Sequence, residues 1–121
     1  HVEFVKDIKN LDVLTQGALI AHNETYGEEG TNVNFVAVIK DRHIQVRTFE
    51  RGVENETLSC GTGVTAAALA AFSTGKVTNS NIEVHTLGGH LTVSFTPSGK
   101  GFSDIVLTGP TELVFSGTLE L

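Results

Sequence analysis

The residues best suited to chemistry lie in one short run, Cys60-Gly61-Thr62-Gly63, which leads directly into an alanine-rich segment. That segment, Ala66–Ala71, favours a helix, and Gly75 is a typical helix end. If the helix begins at the run, its first backbone N–H groups have no partner within the helix. Such donors bind anions and favour the thiolate form of a cysteine. The sequence therefore predicts a reactive thiol at Cys60 and a small carboxylate bound beside it.

Two glycines in this run suit the close approach of a ligand, because a side chain at Gly61 or Gly63 would hold the ligand away from the backbone. The simplest alternative is that Cys60 is a small buried packing residue, as a solitary cysteine often is. We favour the reactive interpretation, since three donors aimed at a packing residue would stabilise nothing. The run lacks the Lys of a phosphate-binding loop and the glycine spacing of a dinucleotide-binding motif.

The composition excludes several classes of protein. With 121 residues the chain fits a single domain, residues 1–121. Its 40% hydrophobic and 18% charged residues exclude a disordered chain. A net charge of -6 without a basic cluster argues against nucleic-acid binding. One cysteine cannot form an internal disulfide, and we see neither a signal peptide nor a membrane-spanning run, so we predict a cytoplasmic protein with no membrane contact.

The chain begins with His1 and contains no Met. We therefore expect it to be part of a longer protein, and any active site could need residues from the remainder.

Around the cysteine, the pattern predicts an α+β domain: a curved, mostly antiparallel sheet wrapped around one central Ala-rich helix. Small side chains on almost every side of that helix predict that it is buried on most sides. A second, weaker helix contains Gly17, within the helical spacing of Leu11 to His22. Short β-branched or apolar stretches predict strands at Val2–Val5, Val33–Ile39, Ile44–Phe49, Ile82–Thr86, Leu91–Phe95, Asp104–Thr108 and Glu112–Phe115.

Taken together, these motifs resemble the diaminopimelate epimerase family. Two motifs carry the resemblance, Glu50-Arg51-Gly52 and Glu56-Thr57-Leu58-Ser59-Cys60-Gly61-Thr62-Gly63 with its Ala-rich helix. Further segments resemble the family's motifs in the same order: His1-Val2, Thr31-Asn32-Val33-Asn34-Phe35, Gly88-Gly89 and Leu107-Thr108-Gly109-Pro110. The resemblance spans essentially the whole chain and implies the C-terminal catalytic half of a two-domain enzyme. Only the turn at Val53–Asn55 is one residue longer than the family's common spacing.

The resemblance implies a cofactor-independent epimerase that converts LL-diaminopimelate to the meso form in lysine and peptidoglycan biosynthesis. Inversion needs one acid/base group on each face of the reacting carbon. The family uses two cysteines, and this chain has only Cys60. The second cysteine is therefore expected from an N-terminal domain that is absent from this chain, and the chain alone is expected to be inactive. The resemblance leaves open whether the protein is a homodimer.

The resemblance also implies roles for individual residues, with neither a metal nor another cofactor. The expected catalytic residues are Cys60, Glu50 and His1, of which the last two would help to set the protonation of the cysteines. A first-residue His is also what a purification tag can leave behind. The expected substrate-binding residues are Asn32, Arg51, Gly61 and Thr62. The remaining histidines have no metal-site spacing and are predicted at surface or turn positions: His22, His43, His85 and His90.

Three other functions remain open at this stage. A proline-racemase-like or phenazine-synthesis-like isomerase would share the fold, but Glu50 and Arg51 suit a substrate with a second charged end, and the phenazine branch uses a carboxylate base. A non-catalytic module that binds a small carboxylate is the second possibility. The third, a cysteine hydrolase, would need a base beside Cys60 that the sequence does not identify.

Overall fold

A computed structural model describes residues 1–121 as seven strands, two α-helices and one short 3₁₀ turn. Neither α-helix is long and apolar enough to cross a membrane. In chain order the elements are β1 (Val2–Phe4), α1 (Val13–Ala21), the 3₁₀ turn (Glu24–Tyr26), β2 (Val33–Lys40), β3 (His43–Glu50), β4 (Asn55–Thr57), α2 (Gly61–Ser73), β5 (Asn81–Thr86), β6 (Gly89–Ser98) and β7 (Gly101–Thr108).

All seven strands belong to one mixed sheet in the order β1-β2-β3-β5-β6-β7, with β4 also paired to β3. The pairs β2–β3, β3–β4, β5–β6 and β6–β7 are antiparallel. The pairs β1–β2 and β3–β5 are parallel. The sheet is therefore mostly antiparallel, as predicted. The β3–β5 pairing extends over only three residue pairs and joins the two halves of the sheet.

Helix α2 packs on one face of this sheet. Its buried alanines, Ala67, Ala68 and Ala71, belong to the larger hydrophobic core together with apolar side chains of β2, β3, β5 and β6. Alanine suits this position because its short side chain lets the helix approach the strands closely. The opposite side of the helix is more open than predicted, since Thr62 and Ala66 are exposed and no element of this chain covers them.

Helix α1 packs on the other face, against a second, smaller core that includes Phe35 and Phe49. Successive residues of a strand point to opposite faces, so Phe35 faces α1 while its neighbour Val36 faces α2. Asp12 caps α1, because its side chain accepts a hydrogen bond from the Thr15 N–H at 3.1 Å. A Cβ at Gly17 would lie 2.3 Å from the Cβ of Phe49, so the glycine permits the close helix–strand contact.

The last predicted strand, Glu112–Phe115, is wrong. Residues 109–121 form neither helix nor strand, and Leu113, Val114 and Phe115 are 84–88% exposed. A short apolar run forms a strand only where a neighbour supplies backbone hydrogen bonds, and no strand lies beside this segment.

Candidate active site at the start of α2

A polar groove of about 340 Å³ opens where the start of α2 meets the end of β3 and the loop before β2. Eight of its nine lining residues are not hydrophobic. Four of the seven predicted site residues line it: His1, Asn32, Arg51 and Thr62. The fold therefore brings together residues that are far apart in the sequence.

Cys60 lies beside this groove as the N-cap residue of α2. Its Sγ is 3.4 Å from the hydroxyl of Thr62 and 3.9 Å from the amide nitrogen of Asn32. The first helical hydrogen bond runs from the Val64 N–H to the Cys60 carbonyl at 2.8 Å. Consequently the N–H groups of residues 61–63 have no acceptor within the protein, and no side chain caps the helix. The predicted helix start is confirmed.

A backbone contact holds the loop that carries Cys60. The Gly88 N–H, in the turn between β5 and β6, donates to the Leu58 carbonyl at 2.7 Å. A Cβ at Gly88 would lie only 3.1 Å from that carbonyl oxygen, so a glycine permits the close approach. The Gly88-Gly89 turn thus fixes the entry into α2.

Arg51 presents a partly unbonded guanidinium group to the groove. Its Nη1 donates to the Glu29 carbonyl at 3.0 Å, whereas Nε and Nη2 have no partner within the protein. The Arg51 backbone N–H donates to the Asn32 side-chain oxygen at 3.0 Å. Asn32 therefore connects Arg51 to Cys60, with one end of its amide on each. The free edge of the guanidinium group has the geometry for a two-pronged contact with a carboxylate.

The His1 ring is held at both of its nitrogens. Nδ1 lies 2.5 Å from the Tyr26 hydroxyl, and Nε2 lies 3.2 Å from the Glu3 carboxylate. Tyr26 was not predicted to belong to the site. The sequence gives no sign of this contact, because it depends on how the 3₁₀ turn folds back over β1.

Besides Cys60, two predicted site residues do not line the groove, Glu50 and Gly61. Glu50 ends β3, half-buried, and its side chain makes no hydrogen bond within the protein. Gly61 lies instead at a neighbouring apolar groove of about 500 Å³, which Leu69 and Leu107 also line.

Asn34 belongs to the groove but was not predicted as a site residue. It is only 3% exposed, accepts a hydrogen bond from the Thr48 hydroxyl at 2.9 Å and donates to the His1 carbonyl at 3.1 Å. A Cβ at Gly63 would lie 2.1 Å from the Asn34 side-chain oxygen. Contact with Asn34 is thus a second reason for glycine at position 63, beside the predicted ligand access to the groove that Gly63 lines. The sequence signal that could have identified Asn34 is its position as a polar residue between Val33 and Phe35 in a predicted strand.

His43 and His85 are half-buried in strands, which corrects the prediction of surface or turn positions for these two. His43 begins β3, while His85 and His90 lie in β5 and β6. The pKa of His85 is lowered, first by burial and then by the charge that His90 and His43 can carry. His22 and His90 match the prediction, since both are exposed. His22 follows α1 and contacts Glu54 at 2.7 Å.

Comparison with known proteins points to one family. A family model described as diaminopimelate epimerase matches residues 1–114. The diaminopimelate epimerase of Flavobacterium psychrophilum is 46% identical over 119 residues, which cover 98% of this chain and 46% of that protein. The diaminopimelate epimerase of Chlorobaculum tepidum is 45% identical over 121 residues, covering 99% of this chain and 46% of that protein. The chain spans about half the length of the curated relatives it matches.

Solved structures share the fold at low sequence identity. A predicted epimerase from Pseudomonas aeruginosa is 18% identical and matches with a TM-score of 0.60, covering 84% of this chain and 34% of that chain. A phenazine biosynthesis protein of the PhzF family from Enterococcus faecalis is 18% identical, with a TM-score of 0.59, covering 77% of this chain and 32% of that chain. The predicted fold class is confirmed as an α+β half-barrel with a mixed sheet and two helices.

Proposed function

Because this chain belongs to the diaminopimelate epimerase family, we propose that it is the C-terminal catalytic half of a two-domain diaminopimelate epimerase. In that enzyme it converts LL-diaminopimelate to the meso form, within lysine and peptidoglycan biosynthesis, and a first domain supplies the second cysteine. The observation that carries the proposal is the position of Cys60. Its thiol lies at a helix start with three unpartnered N–H groups, beside a polar groove.

The reaction needs two proton transfers on opposite faces of one carbon. One of the two cysteines, as the thiolate, takes the α-proton and becomes a thiol, which leaves an electron pair on the α-carbon. The other cysteine, as the thiol, delivers a proton to the opposite face and becomes a thiolate, and Cys60 suits either role. The charge that develops on the α-carboxylate is stabilised by the N–H groups of Gly61 and Thr62, since donors at a helix start point at that position. Neither a metal nor another cofactor takes part.

The far end of the substrate carries a second carboxylate, which Arg51 binds. The free Nε and Nη2 of Arg51 support this assignment, because they form the edge of the guanidinium group that bonds a carboxylate in a two-pronged contact. Asn32 binds at the same end and holds Arg51 through its backbone N–H at 3.0 Å. His1 and Glu50 help to set the protonation of the two cysteines.

The test measures exchange of the substrate α-proton in deuterated water. It uses the longer protein in which this chain follows its first domain, with Cys60→Ala as the variant. We expect exchange and inversion to fall at least about 1,000-fold, because only one face of the carbon keeps its base. Ser59→Ala is the matched control, since Ser59 is exposed in the same loop and makes no side-chain hydrogen bond.

The 121-residue chain alone is expected to bind diaminopimelate weakly and to invert none of it. Inversion by the chain alone at an enzyme-like rate would contradict the assignment of the second cysteine to another domain. If the longer protein binds the substrate but exchanges no proton, the chain is instead a module that binds small carboxylates without turnover.

A further inference from the structure

We propose that a divalent transition-metal ion binds to the outer face of the sheet where β3 meets β5, with His43, Glu83 and His85 as its ligands. One possible ligand atom from each of these residues lies within 4.8 Å of the other two. The proposed site shares no residue with the groove at the start of α2 and does not depend on the proposed epimerase activity.

The register of the strands creates this cluster. His43 in β3 is paired directly with Glu83 in β5, and the next same-face pair joins Gln45 to His85. Glu83 and His85 are two residues apart in one strand, so they point to the same face. The residues between them in the two strands, Ile44 and Val84, are fully buried in the core on the α2 side. The cluster therefore lies on the face opposite α2.

The donor set and its spacing fit a small transition-metal ion. An ion with metal–nitrogen and metal–oxygen distances of about 2.0–2.2 Å has tetrahedral ligands roughly 3.4 Å apart. The ligand atoms of the three residues lie within 4.8 Å of one another, which exceeds that spacing by at most about 1.4 Å. Two imidazoles and a carboxylate suit zinc, and also copper or nickel.

Neighbouring residues surround the cluster and hold the carboxylate. His90 in β6 is paired with His85, and their ring centroids are 4.2 Å apart. Arg42 donates to Oε1 of Glu83 at 2.7 Å, while Oε2 lies 3.3 Å from the Nδ1 of His43. Arg42 therefore orients Glu83 with its second oxygen toward the cluster, as partners behind metal ligands commonly do.

A bound ion would join two strands whose own pairing is short. Only three residue pairs connect β3 to β5, and His43 and His85 lie at opposite ends of that pairing. An ion that binds the folded chain and not the unfolded one raises the melting temperature. Metal binding should therefore appear both as affinity and as thermal stabilisation.

The test titrates zinc chloride into the 121-residue chain, followed by calorimetry and by thermal melting. A Cys60→Ser background removes the thiol as a competing ligand. We expect one ion per chain with micromolar affinity, and a melting temperature at least about 5 °C higher at saturating zinc. His85→Ala and Glu83→Gln should each weaken binding at least about tenfold. His22→Ala is the matched control, since His22 is also beside a glutamate, at 2.7 Å, and should change nothing.

A second measurement guards against a variant that misfolds. His85→Asn keeps a polar side chain of similar shape without the imidazole, and circular dichroism checks that it folds. In the unsubstituted chain, zinc should shift the imidazole NMR signals of His43 and His85 while those of His22 stay in place. No binding up to about 1 mM zinc, or equal affinity in a folded His85 variant, would overturn the proposal.

Discussion

Arg47 lies within β3 and Arg51 directly follows its end, yet their guanidinium groups are bonded very differently. Arg47 is 16% exposed, with Nε and Nη2 on the Glu56 carboxylate at 2.6 and 2.7 Å. Its Nη1 donates to the Ile8 and Leu11 carbonyls. Arg51 is 48% exposed and keeps two nitrogens free. A fully bonded arginine holds the fold together, whereas a partly bonded one is available to a ligand.

The Arg47 contacts connect three separate parts of the chain. Glu56 lies in β4, and the two carbonyls belong to the segment between β1 and α1. The hydrogen bonds to Glu56 raise the pKa of Arg47 above its usual value. The pair therefore fixes α1 and β4 relative to β3, which in turn positions the loop that leads to Cys60.

The largest effect is expected from Arg47→Ala. It leaves the Glu56 carboxylate and two backbone carbonyls without their donor, which should lower the free energy of unfolding by about 3 kcal/mol. Urea unfolding of the 121-residue chain measures this. Lys9→Ala is the control, because Lys9 is exposed and forms no ion pair. A loss below about 1 kcal/mol would mean that the Arg47 bonds contribute little to the fold.

Arg51→Lys should lower activity and leave stability almost unchanged, in contrast to Arg47→Ala. In the longer protein it should lower kcat/KM for diaminopimelate about 30-fold, roughly 2 kcal/mol, because an ammonium cannot make the two-pronged contact. The free energy of unfolding should change by less than about 0.5 kcal/mol, as for other exposed positions. Steady-state kinetics and urea unfolding on the same preparation separate the two effects. An equal loss of stability and activity would remove the distinction between the two arginines.

Gly63→Ala tests whether the groove tolerates an added methyl group against the buried side chain of Asn34. The new Cβ would lie 2.1 Å from the side-chain oxygen of Asn34, so we expect a loss of stability of about 2 kcal/mol. Gly61→Ala is the matched control, since its Cβ would meet only the end of the Leu107 side chain, at 3.1 Å. Thermal melting ranks the two variants. Equal melting temperatures would show that Asn34 can move without cost.

The smallest effect concerns Asp41, which is well bonded although it is exposed. It accepts from the N–H and the hydroxyl of Thr78, and the backbone bond is the main cause that lowers the pKa of Asp41. A lowered pKa in the folded chain means that its contribution to stability is full above the usual value of about 3.9 and is lost as the pH falls through the folded value.

Asp41→Asn should therefore lower stability slightly at pH 7 and reduce its loss on acidification. Urea unfolding between about pH 2 and pH 7 measures both. Asp104→Asn is the control, because Asp104 is exposed and accepts only from the adjacent Ser103 hydroxyl, at 3.1 Å. If Asp41→Asn leaves the acid dependence of stability unchanged, the hydrogen bonds of an exposed side chain contribute little to stability here. The contribution of Arg47 would then depend on its burial as well as on its hydrogen bonds.

Local patterns were sufficient to predict strands β2 and β3 and the start of α2. These depend on residues close in sequence: β-branched and aromatic side chains in the strands, and glycines before an alanine-rich run. The segment after β7 is also apolar, with Leu113, Val114 and Phe115 in succession, but no strand lies beside it, so its pattern predicted a strand that does not form. His43 and His85 could not be placed together from the sequence, because no spacing along the chain reveals that they belong to paired strands.

The residues of the candidate site show the same difference between local and long-range information. Cys60 and Arg51 could be found because they lie in compact motifs. Asn34 and Tyr26 could not be assigned, since their contacts with Gly63 and His1 arise only when distant segments pack together. The reactive groups are therefore easier to identify from the sequence than the residues that hold them in place.

The short parallel pairing of β3 with β5 also has a consequence for the order of folding. The hairpins β2–β3, β5–β6 and β6–β7 each close a loop of only a few residues, so they can form early. The β3–β5 pairing instead joins residues about 40 positions apart, with β4 and α2 between them, and it closes a much longer loop. We expect it to form last and to limit the folding rate. The unit that contains β2 and β3 and the unit that contains β5, β6 and β7 would then form first and pair through β3 and β5.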